Sequence, residues 1–127
     1  MTNEELINIA VKAMKRAYAP YSQFKVGAAL LTKSGKVFEG FNIENSSYGL
    51  SICAERVAIF SAVVAGERNF EKIAIVADTD KLVSPCGACR QVMSEFGDFQ
   101  VIMTNTSGQL IVRNVSELLP FAFKLKG

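Results

Sequence analysis

The 127-residue sequence has no histidine, no tryptophan, three prolines and three cysteines. Without histidine there is no Ser-His-Asp triad, no Cys-His nucleophile pair and no imidazole metal ligand. Acid–base chemistry, if present, falls to a carboxylate, Lys, Cys, Tyr or a water on a metal. An odd cysteine count excludes a complete disulfide framework within one chain. Charge of one sign is scarce too: 14 basic against 12 acidic residues give a net +2. So small a surplus argues for neither nucleic acid nor an anionic membrane as partner. No apolar run approaches the ~20 residues that span a bilayer. The opening Met1-Thr2-Asn3-Glu4-Glu5 is acidic and polar, unlike a signal peptide, so a cytoplasmic location with reduced thiols is expected. There is no repeat, low-complexity tract or Pro/Gly/Ser-rich linker, and a single domain over residues 1–127 is expected.

Half of the residues are apolar and a fifth are charged, an ordinary globular composition. A chain of this length buries roughly two thirds of its unfolded surface, enough to fold without a disulfide staple. Thr2 and Glu5 fit a capping box, and Leu6, Ile9, Ala10, Ala13 and Ala17 repeat at helical spacing, so residues 3–18 are predicted helical. Strands are predicted at Val26–Thr32 and Val37–Ile43 around a turn at residues 33–36. Helices follow at Cys53–Ala65 and Cys86–Phe96, stopped by Gly66 and Gly97. Lys72–Ala77, Gln100–Thr104 and Leu110–Val112 read as strands, and a short helix after Ser116 ends at Pro120. A hairpin followed by alternating α and β elements predicts an α/β fold: a mixed sheet with helices on its faces.

Chemistry concentrates in the cysteines, all at predicted helix starts. Pro85-Cys86-Gly87-Ala88-Cys89 puts two sulfurs on one helical face, near enough to share an ion. Cys53 lies 33 residues before Cys86. The partial positive charge of a helix N-terminus favours the thiolate that binds metal. Taken alone, the C-x-x-C pair has three readings: a redox pair, a structural zinc or inert core pair, or part of a catalytic zinc site. Three thiolates without a fourth protein ligand suit the last, because one coordination position stays open. Glu55 follows Cys53 by two residues, about 200° around a regular helix. Cys53 must therefore occupy the cap position for both side chains to reach one centre.

Cys53-Ala54-Glu55, the 29 residues Arg56 to Ser84, and then Pro85-Cys86-x-x-Cys89 resemble the zinc-dependent cytidine deaminase superfamily. Related members carry His-x-Glu where this sequence has Cys53-Ala54-Glu55, and cysteine at that position resembles the three-cysteine, free-nucleoside branch. Phe24-Lys25-Val26-Gly27-Ala28-Ala29, Gly40-Phe41-Asn42-Ile43-Glu44-Asn45 and Leu118-Leu119-Pro120 with Phe123 extend the similarity from about Ala19 to Phe123. The resemblance implies a three-layer α-β-α fold with a roughly five-stranded mixed sheet. It implies one Zn²⁺ per subunit on Cys53, Cys86 and Cys89, with Glu55 as the proton shuttle. It implies deamination of cytidine and 2′-deoxycytidine in a homotetramer with shared active sites. A deaminase of a cytosine-containing antibiotic such as blasticidin S is an alternative within the same chemistry. A structural zinc or redox module is the alternative from another class.

The remaining roles follow from that resemblance. Three thiolates leave zinc with a formal charge of −1, and Arg56 is the candidate cation that offsets it by donating to the sulfurs. Asn42 and Glu44, two apart at a strand end, share a face. The resemblance assigns them to the ribose 3′-hydroxyl, where Glu44 would repel a 3′-phosphate and so favour a free nucleoside over a polynucleotide. Phe24 and Phe123 are candidates for stacking on the pyrimidine, and Ala54 for backbone contact with the base edge. Tyr48, with the backbone near Ser46, resembles the segment that reaches a neighbouring subunit's site. The sequence departs from many relatives in ending soon after Phe123, at Leu125-Lys126-Gly127.

Overall fold

The computed structural model describes residues 1–125. The first helix, α1 (Asn3–Met14), opens with the expected capping box: Thr2 Oγ1 accepts from the Glu5 N–H, and Glu5 Oε1 accepts from the Thr2 N–H. It stops four residues before the predicted end. Tyr18 is drawn into an extended bridge instead: its N–H donates to the Asn42 carbonyl (3.0 Å), and its own carbonyl accepts from the Glu44 N–H (2.8 Å). Pro20 also disfavours helical backbone at Ala19. The chain continues through β1 (Val26–Thr32), β2 (Val37–Phe41), α2 (Ala54–Val64), β3 (Phe70–Ala77), α3 (Gly87–Ser94), β4 (Gln100–Asn105), β5 (Leu110–Asn114) and α4 (Val115–Leu118). A single 3₁₀ turn lies at Tyr48–Leu50.

β2 ends two residues before the predicted boundary, although Ile43 keeps isolated bridges to Tyr18 and Ile52. α4 starts earlier than predicted, because the Asn114 N–H is taken up by Glu117 Oε1 (2.8 Å) and the turn is closed from there. Gly66 and Gly97 take positive φ (91° and 105°), the left-handed conformation expected of residues that stop a helix.

The five strands lie in the order β2-β1-β3-β4-β5. Only β3 and β4 are parallel; the other neighbours are antiparallel, so the sheet is mixed. β1 is buried on both faces, and its side chains divide by alternation. Ala29 and Leu31 join Leu6, Ala10 and Met14 of α1, with Ala74, Val76 and Ile102. Ala28 and Leu30 join Ala58 and Ile59 of α2 and Met93 of α3, with Ile73 and Val101. The result is the three-layer α-β-α arrangement: α1 on one face, α2 and α3 on the other. None of the helices among the described residues is long and apolar enough to cross a membrane.

Two glycines let the helices descend onto the sheet. A Cβ on Gly27 would overlap the Ala10 carbonyl oxygen and stand 2.5 Å from the Met14 nitrogen of α1. A Cβ on Gly40 would overlap the Ala54 carbonyl oxygen and stand 2.6 Å from the Ala58 nitrogen of α2. Both obstacles are backbone, so neither can swing aside. Gly40→Ala is expected to destabilise the fold by about 1–3 kcal/mol, the usual range for overpacking, by lifting the first turn of α2. Its denaturation midpoint should fall, and a midpoint equal to that of the parent protein would refute this close approach.

Candidate active site

The carboxyl end of β3 and the amino ends of α2 and α3 meet at a cavity of about 480 Å³. Cys53 is the N-cap of α2 with extended backbone (φ −76°, ψ 152°), and Cys86 is the N-cap of α3 (φ −68°, ψ 167°). Cys89 lies within the first turn of α3 and is wholly buried. The cap geometry resolves the 200° problem: Cys53 stands off the helical spiral, and it and Glu55 line the same cavity.

The three sulfurs lie within 4.8 Å of one another, with Cys53–Cys86 at 4.0 Å and Cys86–Cys89 at 3.5 Å. Tetrahedral zinc with Zn–S bonds of about 2.3 Å requires sulfurs about 3.8 Å apart. The trio therefore fits one zinc ion with only small adjustment. All three cysteines are free thiols. The neighbouring Cys89 thiol and the Arg56 guanidinium together pull Cys53 down to about 5, so it is the readiest thiolate. Cys89 is pushed well up by the neighbouring Cys53 and by burial.

Arg56 Nη2 donates to Cys53 Sγ at 3.4 Å. Its Nε is buried without a hydrogen-bond partner. An unpaired guanidinium N–H is costly to bury, and charge gathered on the neighbouring sulfurs would offset part of that cost. Glu55 is only 5% exposed, and burial pushes its carboxyl up to about 7, helped by the charge on Cys53. A carboxyl poised near neutrality suits proton transfer in both directions.

The same cavity is also lined by Phe24, Asn42 and Glu44. Asn42 ties two segments of the wall together: Oδ1 accepts from the Val26 N–H (2.9 Å) and Nδ2 donates to the Phe24 carbonyl (2.8 Å). Glu44 Oε1 accepts from the N–H groups of Tyr21 (3.0 Å) and Ser22 (3.1 Å), and Oε2 accepts from the Ser22 hydroxyl. The Ser22 hydroxyl, its N–H and that of Tyr21 hold the Glu44 carboxyl below the usual carboxylate range. Ala54 and Arg56 also line the cavity, and Tyr48 lines its mouth while 71% exposed.

Two expected residues lie outside the wall of this cavity. The Ser46 hydroxyl pairs with the Tyr21 hydroxyl. Phe123 is 69% exposed, and its carbonyl accepts from Gln91 Nε2 at 3.1 Å. Lys126 and Gly127, part of the terminal departure noted above, fall outside the described residues.

Two residues escaped sequence reasoning. Ser22 braces Glu44, as just described. Arg90 donates to the Pro85 carbonyl, the Ser84 hydroxyl and the Leu118 carbonyl, each at 2.8 Å. It thereby pins the loop before Cys86 to the end of α4. Its position beside Cys89 was the only signal, and that signal says nothing of a partner 28 residues away.

The family model described as "Cytidine and deoxycytidylate deaminase zinc-binding region" matches residues 1–105, which include every zinc ligand candidate. The chain belongs to this deaminase family. Within it, the cytidine deaminase of Halalkalibacterium halodurans is 54% identical over 125 residues, covering 97% of this chain and 95% of its own. The 1.6 Å crystal structure of cytidine deaminase from Burkholderia pseudomallei has a TM-score of 0.94 at 54% identity, covering 97% of this chain and 100% of that one. A more distant member, the blasticidin-S deaminase of Bacillus cereus, is 31% identical over 127 residues, covering 94% of this chain and 90% of its own. The mixed sheet and the cysteine cluster at two helix starts are thus those of a zinc deaminase.

Proposed function

We propose that the protein hydrolyses cytidine and 2′-deoxycytidine to uridine and 2′-deoxyuridine with release of ammonia. One observation carries this reading: Glu55, a buried carboxyl outside the cluster of three thiols, faces the same cavity as that cluster. A structural zinc site is closed by a fourth ligand and has no use for such a neighbour. Zinc on Cys53, Cys86 and Cys89 supplies the Lewis acidity that makes water nucleophilic near neutral pH.

Glu55 takes a proton from the attacking water and delivers it to pyrimidine N3 while the water oxygen adds to C4. It then carries the second proton to the amino group, the C4–N bond breaks, and ammonia leaves. Arg56 offsets the charge of the thiolates. Phe24 offers a face to the base and Ala54 its backbone. Glu44 accepts a hydrogen bond from the ribose 3′-hydroxyl, and Asn42 shapes that subsite by fixing Phe24 and Val26.

Tyr48, Leu50 and Phe123 are each about 70% exposed, which supports a homotetramer in which Ser46, Tyr48 and Phe123 complete neighbouring sites. We further read residues 1–127 as one catalytic domain working in the cytoplasm, in pyrimidine salvage. Mixing the protein separately with cytidine, deoxycytidine, cytosine and blasticidin S tests the reading through loss of ultraviolet absorbance. Turnover of the two nucleosides is expected. Turnover of blasticidin S alone would favour the second reading, which the Bacillus cereus relative keeps within reach. No turnover of any of the four would sink the proposal.

A further inference from the structure

The Ser22 hydroxyl sits between two parts of the nucleoside wall. It accepts from the Phe24 N–H (3.0 Å) and faces Glu44 Oε2. A hydroxyl has one proton. An ionised carboxylate only accepts, so in the pair with Glu44 Oε2 the Ser22 hydroxyl is the donor. Glu44 is then engaged by three donors: the Tyr21 and Ser22 N–H groups on Oε1, and the Ser22 hydroxyl on Oε2. A carboxylate offers about four acceptor positions. The unused one belongs to Oε2, on a side chain that lines the cavity. An ionised acceptor with every other position filled selects a group that donates, such as a sugar hydroxyl, over a phosphate or a bare carbon.

We propose that Ser22 is a positioning residue for the sugar, aiming Glu44 Oε2 so that the enzyme distinguishes a nucleoside bearing a 3′-hydroxyl from one lacking it. The inference rests on the assignment of Glu44 to that hydroxyl. Ser22 touches no reacting atom, so its removal acts on binding of the sugar rather than on the chemical step. Ser22→Ala keeps the backbone N–H that reaches Glu44 Oε1 while removing the hydroxyl that bridges Oε2 and the Phe24 N–H.

The test compares kcat/KM for cytidine and 3′-deoxycytidine in the parent protein and in Ser22→Ala, Ser22→Thr, Ser22→Cys and Glu44→Ala. Loss of one hydrogen bond to a charged group is expected to lower the cytidine-to-3′-deoxycytidine ratio about tenfold in Ser22→Ala. The change should lie mainly in KM for cytidine, with kcat largely kept. Ser22→Thr, which retains the hydroxyl, should recover most of the ratio. Ser22→Cys, a weaker donor, should fall between and carries the test if the alanine variant does not fold. Equal losses on both nucleosides in the Ser22 variants, with the ratio still collapsed in Glu44→Ala, would overturn the role of Ser22 alone. A ratio unmoved in Glu44→Ala as well would remove the sugar assignment and this inference with it.

Discussion

Glu55→Gln is expected to retain one zinc per chain while kcat for cytidine falls by at least about 10²–10⁴, the usual worth of a positioned general acid–base. Glutamine has nearly the same shape and can still hydrogen-bond, but it cannot accept and return a proton. Glu55 is not one of the three clustered thiol ligands, so metal content should be untouched. The stability change separates this role from the ordinary one. A glutamate in the first turn of a helix usually stabilises it by about 0.3–1 kcal/mol through the helix dipole. Here the carboxyl is buried, and burial is what raises its pKa, so neutralising it relieves a desolvation cost. The variant should therefore melt at or above the temperature of the parent while losing turnover. Zinc analysis, a thermal scan and the ultraviolet assay on one preparation decide the matter. Near-normal deamination would refute the shuttle, and loss of zinc would mean that the carboxyl helps to hold the metal.

Periodicity and punctuation made most of the fold legible in advance. Thr2 and Glu5 announced the start of α1, Gly66 and Gly97 announced helix stops, and β-branched runs announced the central strands. These are local signals, and the structure honours them within a few residues. The errors came where distant backbone competed with local preference. Residues 15–18 have helical spacing, but Tyr18 bonds to Asn42 and Glu44 across the sheet edge. The zinc ligands were legible because their spacing is chemical: two sulfurs one turn apart, and a third at another helix cap. Ser22 and Arg90 were not, because their significance lies in partners 22 and 28 residues away. Asn42 was legible only in part. Its position beside the cavity was expected, and its bonds to the backbone at Phe24 and Val26 were not. Nothing in an Asn-x-Glu spacing announces that the same side chain also fastens the wall.

Cys89→Ala is expected to abolish deamination and reduce bound zinc from about one per chain to a small fraction of that. The three sulfurs are not equivalent. Cys86 is exposed, Cys53 is partly buried, and Cys89, in the first turn of α3, is wholly buried within the larger core cluster. Water can replace a lost ligand most readily at Cys86 and least readily at Cys89. Removing Cys89 also leaves Arg56 with fewer sulfurs to meet, its Nε already lacking a partner. Truncation of so small a side chain costs the core little compared with a Leu→Ala change of about 2–5 kcal/mol. Most of the destabilisation should instead come from lost metal linkage: a ligand at a hundred times its Kd stabilises the native state by about 2.7 kcal/mol. Chelating zinc from the parent protein should reproduce that part of the fall in melting temperature, and added zinc should reverse it. The variant should melt close to the chelated parent and should not respond to added zinc. If the alanine variant held a full complement of zinc, or if the chelated parent still turned over cytidine, the three-thiol site would not be the catalytic centre.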